Sequence, residues 1–159
     1  ALAAGAASVT GIDSSAAALD LAGKNIALNG LDSSKSIPEE GNVSQILRRY
    51  RDAGKQFDAI ILDPPKFIHS RNQLDKGGRA YKDINMMAMK LLAPGGILAT
   101  FSCSQPMSAE LFQKTIAFAS VDAKREVAIL SRMHQAPDHP VALNFPEAEY
   151  LKGFICRVW

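Results

Sequence analysis

The sequence is poor in cysteine, in long apolar runs and in net charge. Only two cysteines occur in 159 residues, Cys103 and Cys156, far apart and without metal-ligand spacing. This pattern is typical of free thiols in a reducing cytoplasm and argues against a disulfide framework, so we predict a cytoplasmic protein. No apolar run approaches the roughly 18 residues that span a bilayer, and we expect no membrane partner. The net charge of +2 is too small to indicate nucleic acid by itself.

Hydrophobic residues make up 47% of the chain and charged residues 21%, a balance typical of globular proteins. No repeat or linker divides the sequence, so we predict one domain over residues 1–159. Short apolar runs alternate with segments of helical periodicity. This alternation predicts an α/β fold with a mainly parallel sheet and helices on both faces. Ligands of such sheets bind beyond the carboxyl ends of the strands.

Strands are predicted from the short apolar runs at residues 8–12, 36–39, 57–62, 97–101, 126–133 and 153–159. Helices are predicted after a cap at Ser14 or Ser15, around residues 43–50, and after caps at Asp83 and Ser108. We expect residues 70–82, which contain Gly77 and Gly78, to form a polar loop. The residues that follow the strands, and so lie at the expected ligand edge, are Asp13, Asn42, residues 63–67 and residues 102–104.

Asp13 ends the first predicted strand. An acidic residue at this point of a nucleotide-binding α/β unit often accepts hydrogen bonds from ribose hydroxyls. An aspartate here can equally cap the helix that follows. The residues alone leave both interpretations open.

The segment Asp63-Pro64-Pro65-Lys66-Phe67 is more informative. Its prolines fix φ and remove two backbone donors, so the chain leaves the sheet along a stiff path. That path holds the Asp63 carboxylate at the sheet edge, where Lys66 could contact phosphate and Phe67 could stack on a base. An ordinary proline-rich turn is the alternative. We favour a functional site because the segment lies at the predicted ligand edge.

Cys103 follows the next strand at the same predicted edge. A thiolate is a soft nucleophile that can add to C6 of a pyrimidine and so make C5 reactive towards an electrophilic methyl group. A small buried hydrophobic residue is the alternative for any cysteine, and we adopt it for Cys156, which lies within an apolar strand. His134, Asp138 and His139 match no spacing of metal ligands, so we predict no metal.

Basic residues are concentrated between residues 66 and 82, interleaved with two aromatic residues. This mixture is typical of surfaces that bind single-stranded RNA, although solvated loop charges would look the same. The basic residues are Lys66, Arg71, Lys76, Arg79 and Lys82, and the aromatic ones are Phe67 and Tyr81.

In these segments the chain resembles the bacterial large-subunit ribosomal RNA cytosine-C5 methyltransferases of the RlmI type. The resemblance rests on F-D-A-I-I-L-D-P-P-K-F, G-R-A-Y-K-D-I-N, G-G-I-L-A-T-F-S-C-S, L-F-Q-K, D-H-P and Y-L-K-G-F-I-C-R-V, in family order. It implies a Rossmann-like class I fold, S-adenosylmethionine as methyl donor and a cytosine of 23S ribosomal RNA as acceptor. A homodimer is left open.

The resemblance also implies roles for individual residues. Cys103 would be the nucleophile, with Asp63 beside it. The cofactor would be bound by Asp13, Ser14, Asn42, Val43, Asp63 and Pro64. The RNA would be bound by Lys66, Phe67, Arg79, Tyr81, Lys82 and Ser104. Asn42 departs from the family, which usually has aspartate before the valine, but its amide keeps an acceptor for adenine and adds a donor.

A second departure lies at the beginning, where the family's first strand and glycine-rich turn have no counterpart and only part of the first helix is expected. We therefore expect weak cofactor binding and little activity from these residues alone. Two other functions stay open: a nitrogen-directed methyltransferase of a base or protein, which needs no cysteine, and a non-catalytic RNA-binding remnant.

Overall fold

The computed structural model describes residues 1–159. The chain forms two compact units, Ala1–Arg49 and Tyr50–Trp159. The strands are β1 Val9–Asp13, β2 Ser36–Glu40, β3 Phe57–Leu62, β4 Leu92–Ser102, β5 Val127–Met133 and β6 Lys152–Val158. The helices are α1 Ala16–Leu28, α2 Val43–Asp52, α3 Leu74–Leu91 and α4 Ala109–Ala123. No helix combines the length and the apolar character that crossing a bilayer requires.

The first unit contains a two-stranded parallel sheet of β1 and β2, in register from Val9 opposite Ser36 to Asp13 opposite Glu40. Between the strands, α1 begins after Ser15, whose hydroxyl accepts a hydrogen bond from the amide of Ala18. This confirms the predicted strands and the predicted serine cap.

The second unit contains a four-stranded sheet in the order β3-β4-β6-β5. Strands β3 and β4 are parallel, and β6 is antiparallel to both of its neighbours, β4 and β5. Three of these four strands therefore run in the same direction, as expected for a mainly parallel sheet with one reversed strand.

The core of the second unit lies between this sheet and the helices α3 and α4. Tyr81 of α3 packs edge-on against Phe112 of α4, with ring centroids 5.5 Å apart, and Phe112 stacks on Phe154 of β6 at the same distance. All three rings are at most 2% exposed. Burying aromatic rings of this size contributes about 2–3 kcal/mol each and joins both helices to one face of the sheet.

The predicted loop over residues 70–82 is wrong from Leu74 onwards, because α3 begins there rather than after Asp83. Two consecutive glycines suggested a loop, but Gly77 has a packing role. A Cβ atom at Gly77 would lie 2.2 Å from Cγ1 of Ile68 and 2.8 Å from the carbonyl oxygen of Phe67. Glycine therefore lets the segment after β3 pack directly on the helix.

Strand β4 is also longer than predicted, since it begins at Leu92 and includes the Pro94-Gly95-Gly96 turn signal. The pairing with β3 is irregular there, between Phe57 and Ala59. The irregularity accommodates Gly95, whose φ is +83°. A bulged strand can thus include residues that usually end a helix.

Candidate active site

Two segments that the sequence assigned to the ligand edge lie next to each other in the second unit. Strands β3 and β4 are parallel neighbours, with Leu62 opposite Thr100, so the residues that follow both strands leave the same edge of the sheet. The amide of Ile68 donates a hydrogen bond to the hydroxyl oxygen of Ser104, at 3.1 Å. The segment after Asp63 is therefore held beside Cys103.

Ser104 organises this edge from a fully buried position. Its hydroxyl accepts the bond from Ile68 and shares a 2.9 Å hydrogen bond with the hydroxyl of Tyr81. Its amide donates to the hydroxyl oxygen of Ser102, at 3.3 Å. These bonds satisfy the hydroxyls of Ser104 and Tyr81 and the amide of Ser104, and they restrain the turn that carries Cys103.

Cys103 itself is half-buried and lines a cleft of about 350 Å³. The other lining residues are Lys66, Gln105, Glu147 and Tyr150. The side-chain amide of Gln105 donates to the carbonyl oxygen of Glu147, at 3.4 Å, and so ties the long β5–β6 connection to the cleft. A thiol, a cation, a carboxylate and an aromatic ring thus line one accessible space, in which the cation suits a phosphate and the ring suits a base.

Lys152 lies behind this turn at the beginning of β6, where it pairs with Ser102. Its ammonium donates a 2.7 Å hydrogen bond to the carbonyl oxygen of Ser104. Burial lowers the pKa of Lys152 below its usual 10.5, the charge of Lys66 lowers it further, and the Cys103 thiol raises it. Lys152 therefore lies near both Lys66 and Cys103.

The second cysteine has a different setting. Cys156 lies in the middle of β6, opposite Leu98 of β4, and is fully buried. Burial raises the pKa of its thiol to about 11. The predicted assignment of Cys156 to the core is confirmed by this burial, since a thiol in such surroundings stays protonated and inert.

The six residues expected to contact RNA fall into three groups. Lys66 is exposed, and Phe67 is half-buried with its ring 4.7 Å from that of Tyr81. Tyr81 and Ser104 are 0% exposed and offer no surface to a ligand, so both support the turn around Cys103 instead. The remaining two residues, Arg79 and Lys82, lie on α3.

Arg79 and Lys82 line a second depression of about 360 Å³ between α3 and α4, which shares no lining residue with the Cys103 cleft. The ammonium of Lys82 forms a 2.7 Å ion pair with Asp122 of α4. The sequence placed these cations in one loop with Lys66, whereas the helix separates them from it.

In the first unit, Asp13 and Asn42 lie at the carboxyl edge of the β1–β2 pair. The amide of Gly41 donates to the carbonyl oxygen of Asp13, at 2.9 Å, which places the two ends together. Oδ1 of Asp13 accepts from the amide of Ser15, and Oδ1 of Asn42 accepts from the amide of Gln45. The Asp13 carboxylate therefore stabilises the turn before α1, and the Asn42 side chain caps α2. Ser14 is exposed, and Val43, half-buried, begins α2.

Four residues of the Cys103 region were not predicted from the sequence as site residues: Gln105, Glu147, Tyr150 and Lys152. Three of them lie on or beside the connection between β5 and β6, and chain order alone does not place that connection at the edge of β4. A signal did exist for Lys152, because a lysine beginning an otherwise apolar strand must find a polar partner.

Known proteins resemble this chain in sequence and in fold. No protein-family model matches the chain. The ribosomal RNA large subunit methyltransferase I of Shewanella denitrificans is 58% identical over 98% of the chain, which covers 39% of that protein. The protein of the same name from Erwinia tasmaniensis is 57% identical over 94% of the chain and 38% of its own length.

Among solved structures, SMU.776, described as a candidate methyltransferase complexed with SAH, superposes with a TM-score of 0.82 at 21% identity. The superposition covers 96% of the chain and 40% of that structure. At this identity the likeness shows the fold, which is the predicted class I methyltransferase fold. The chain spans about two fifths of the length of the curated relatives it matches. Over nearly all of its residues, the chain is thus homologous to part of the bacterial ribosomal RNA large subunit methyltransferases I.

Proposed function

We propose that the protein transfers a methyl group from S-adenosylmethionine to C5 of a cytosine in large-subunit ribosomal RNA, with Cys103 as the covalent nucleophile. The observation that carries the proposal is the position of Cys103, a half-buried thiol that lines an open cleft at the carboxyl edge of the sheet. The acceptor class rests on the relatives, which are named as ribosomal RNA large subunit methyltransferases.

The chemistry requires a nucleophile that can form a bond and later break it. The Cys103 thiolate would add to C6 of the cytosine, which opens the C5–C6 double bond and makes C5 nucleophilic. Bound S-adenosylmethionine would supply the electrophilic methyl group. Once C5 has gained the methyl group and lost its proton to a base, the Sγ–C6 bond breaks and regenerates both the thiolate and the double bond.

The first unit offers polar groups that suit an adenosine. Oδ2 of Asp13 has no hydrogen-bond partner, since only Oδ1 is engaged, by the amide of Ser15, and Oδ2 can accept from ribose hydroxyls. The Nδ2 group of Asn42 is free to donate, because only its Oδ1 is engaged in capping α2. We assign adenosine contacts to Asp13 and Asn42, with Ser14 and Val43 beside them.

In the second unit we assign Asp63 and Pro64 to the cofactor or to the cytosine edge. Asp63 is exposed directly after β3, and Pro64 is half-buried. Asp63 can accept hydrogen bonds from an amino group, which both the cofactor and cytosine possess.

For the RNA, we assign contacts first to Lys66, which lines the cleft with Cys103, and to Phe67, the next residue along the chain. Arg79 and Lys82 would contact phosphates farther along the strand, because they line a separate depression. Tyr81 and Ser104 would act indirectly, by holding the Phe67 ring and the Cys103 turn through the contacts described above.

The test compares Cys103→Ala with Cys156→Ala in the full-length gene product, using methyl transfer from labelled S-adenosylmethionine to 23S ribosomal RNA. Loss of the nucleophile should lower the rate by at least about 1,000-fold, whereas Cys156→Ala should keep most of it. Methylation that survives in Cys103→Ala would overturn the proposal and favour a nitrogen-directed reaction. Salt-sensitive RNA binding without any methyl transfer in the unaltered protein would favour an RNA-binding module instead.

A further inference from the structure

Lys152 is a charged side chain that contacts the backbone of the turn around Cys103. It is half-buried at the first position of β6, in register with Ser102, the residue just before Cys103. Its ammonium is 2.7 Å from the carbonyl oxygen of Ser104, the residue just after Cys103. Lys152 therefore contacts the residues on both sides of the thiol, Ser102 through strand pairing and Ser104 through its ammonium.

We propose that Lys152 is a positioning residue that fixes the Cys103 turn and electrostatically stabilises the Cys103 thiolate. This inference rests on the proposed function of Cys103 as the nucleophile. In this role Lys152 does not contact the reacting base. It acts by holding the turn and by its positive charge.

The charges around the cleft single out Lys152 from its neighbours. Lys66 lines the cleft but is exposed, so water and salt screen its charge more strongly. Glu147 has the opposite sign and would disfavour a thiolate. Lys152 alone combines a positive charge with partial burial and a fixed hydrogen bond. A fixed charge in less polar surroundings acts more strongly than an exposed one.

The inference can be tested on thiol ionisation alone, without RNA or cofactor. The rate at which iodoacetamide alkylates Cys103 would be followed by peptide mass spectrometry from about pH 6 to about pH 10. The variants are Lys152→Met, Lys152→Arg and Lys66→Met. The matched control is Lys90→Met, which removes an equal charge at an exposed position near the end of α3.

We expect Lys152→Met to slow alkylation about tenfold near pH 7 and to move the rise of the rate to higher pH. The rate at high pH should return to that of the unaltered chain, because every thiol is then ionised. Lys152→Arg should stay within about threefold, since the charge is kept. Lys66→Met should have a smaller effect than Lys152→Met, and Lys90→Met should have none.

A pH profile of Lys152→Met that coincides with that of Lys90→Met would overturn the inference. So would a rate that stays low at high pH and is not restored by Lys152→Arg, since that pattern indicates a distorted turn without an electrostatic contribution. Failure of the proposed function looks different. In that case Cys103→Ala retains methyl transfer, whatever the alkylation profile of Lys152→Met shows.

Discussion

One cysteine lies within β6 and the other directly follows the neighbouring strand β4, and their surroundings are opposite. Cys156 is in the middle of β6, covered on its face by the core, and burial raises the pKa of its thiol to about 11. Cys103 lies just past the end of β4, half-buried and open to a cleft. The difference indicates that the position along a strand decides whether a thiol is packed in the core or open to a ligand. The middle of a strand belongs to the core, and its carboxyl end belongs to the ligand.

The largest effect that this comparison predicts is in thiol reactivity. At neutral pH, Cys103 in the folded chain should react with iodoacetamide at least about 100-fold faster than Cys156, because burial both protonates and hides the latter. Peptide mass spectrometry of a time course measures both rates together. In a denaturant the two rates should converge. Equal alkylation rates of Cys103 and Cys156 in the folded chain would contradict the difference in their accessibility.

The packing beneath Cys103 can be disrupted at Gly77. Gly77→Ala should destabilise the chain by about 2–4 kcal/mol, because the new Cβ would collide with Ile68 and with the backbone of Phe67. Gly78→Ala is the matched control, since its Cβ would meet only Cε of Met107, at 4.0 Å. The control should be neutral or up to about 1 kcal/mol more stable, as expected for alanine in a helix.

Urea unfolding measures both variants, and equal effects would contradict the assigned packing role of Gly77. Alkylation of Cys103 should change in Gly77→Ala, whereas Cys156 should stay protected wherever the chain is still folded.

Because the pKa of Cys156 is raised, the contribution of this thiol to the free energy of unfolding depends on pH. Below about pH 9, the ordinary value, both folded and unfolded states keep the thiol protonated, and its contribution to stability is fully present. Between 9 and about 11 only the unfolded state loses the proton, so this contribution falls as pH rises, by roughly 2–3 kcal/mol in all. The free energy of unfolding of Cys156→Ala should lack this component. A stability difference between the two chains that is constant over this pH range would contradict the assignment.

The smallest effect on stability is expected at the ion pair between Lys82 of α3 and Asp122 of α4. Lys82→Met should change the free energy of unfolding by less than about 0.5 kcal/mol, because Lys82 and Asp122 are partly exposed. If Lys82 contacts a phosphate, the same variant should reduce the salt dependence of RNA binding by about one ion. Filter binding over a range of salt concentrations measures this slope. An unchanged slope would confine the RNA surface to the vicinity of Lys66.

Much of the fold was predictable because local patterns decide it. The six strands and the caps at Ser15 and Ser108 follow from apolar runs and from hydroxyls before helical periodicity. The start of α3 was not predictable, because two glycines argue locally against a helix while a tertiary contact at Gly77 requires one of them. In this instance packing overrides propensity.

In the site, too, residues placed by local patterns were predictable, whereas residues placed by contacts distant in sequence were not. Cys103 and Asp63 follow strands, and their positions at one edge were inferred from chain order. The roles of Ser104 and Tyr81 could not be inferred, because their hydrogen bond joins residues 23 positions apart and buries both. Lys152 reaches Ser104 across 48 positions, a distance over which the sequence holds no pairing signal.

The proposed mechanism requires a covalent bond between Cys103 and cytosine. The most direct measurement incubates the full-length gene product with S-adenosylmethionine and ribosomal RNA that contains 5-fluorocytidine, in which fluorine at C5 blocks the release step. We predict a denaturation-resistant protein–RNA complex that requires S-adenosylmethionine and maps to Cys103 by mass spectrometry, and that forms in Cys156→Ala but not in Cys103→Ala. Methylation of normal RNA without any such complex, or a complex that persists in Cys103→Ala, would contradict the account.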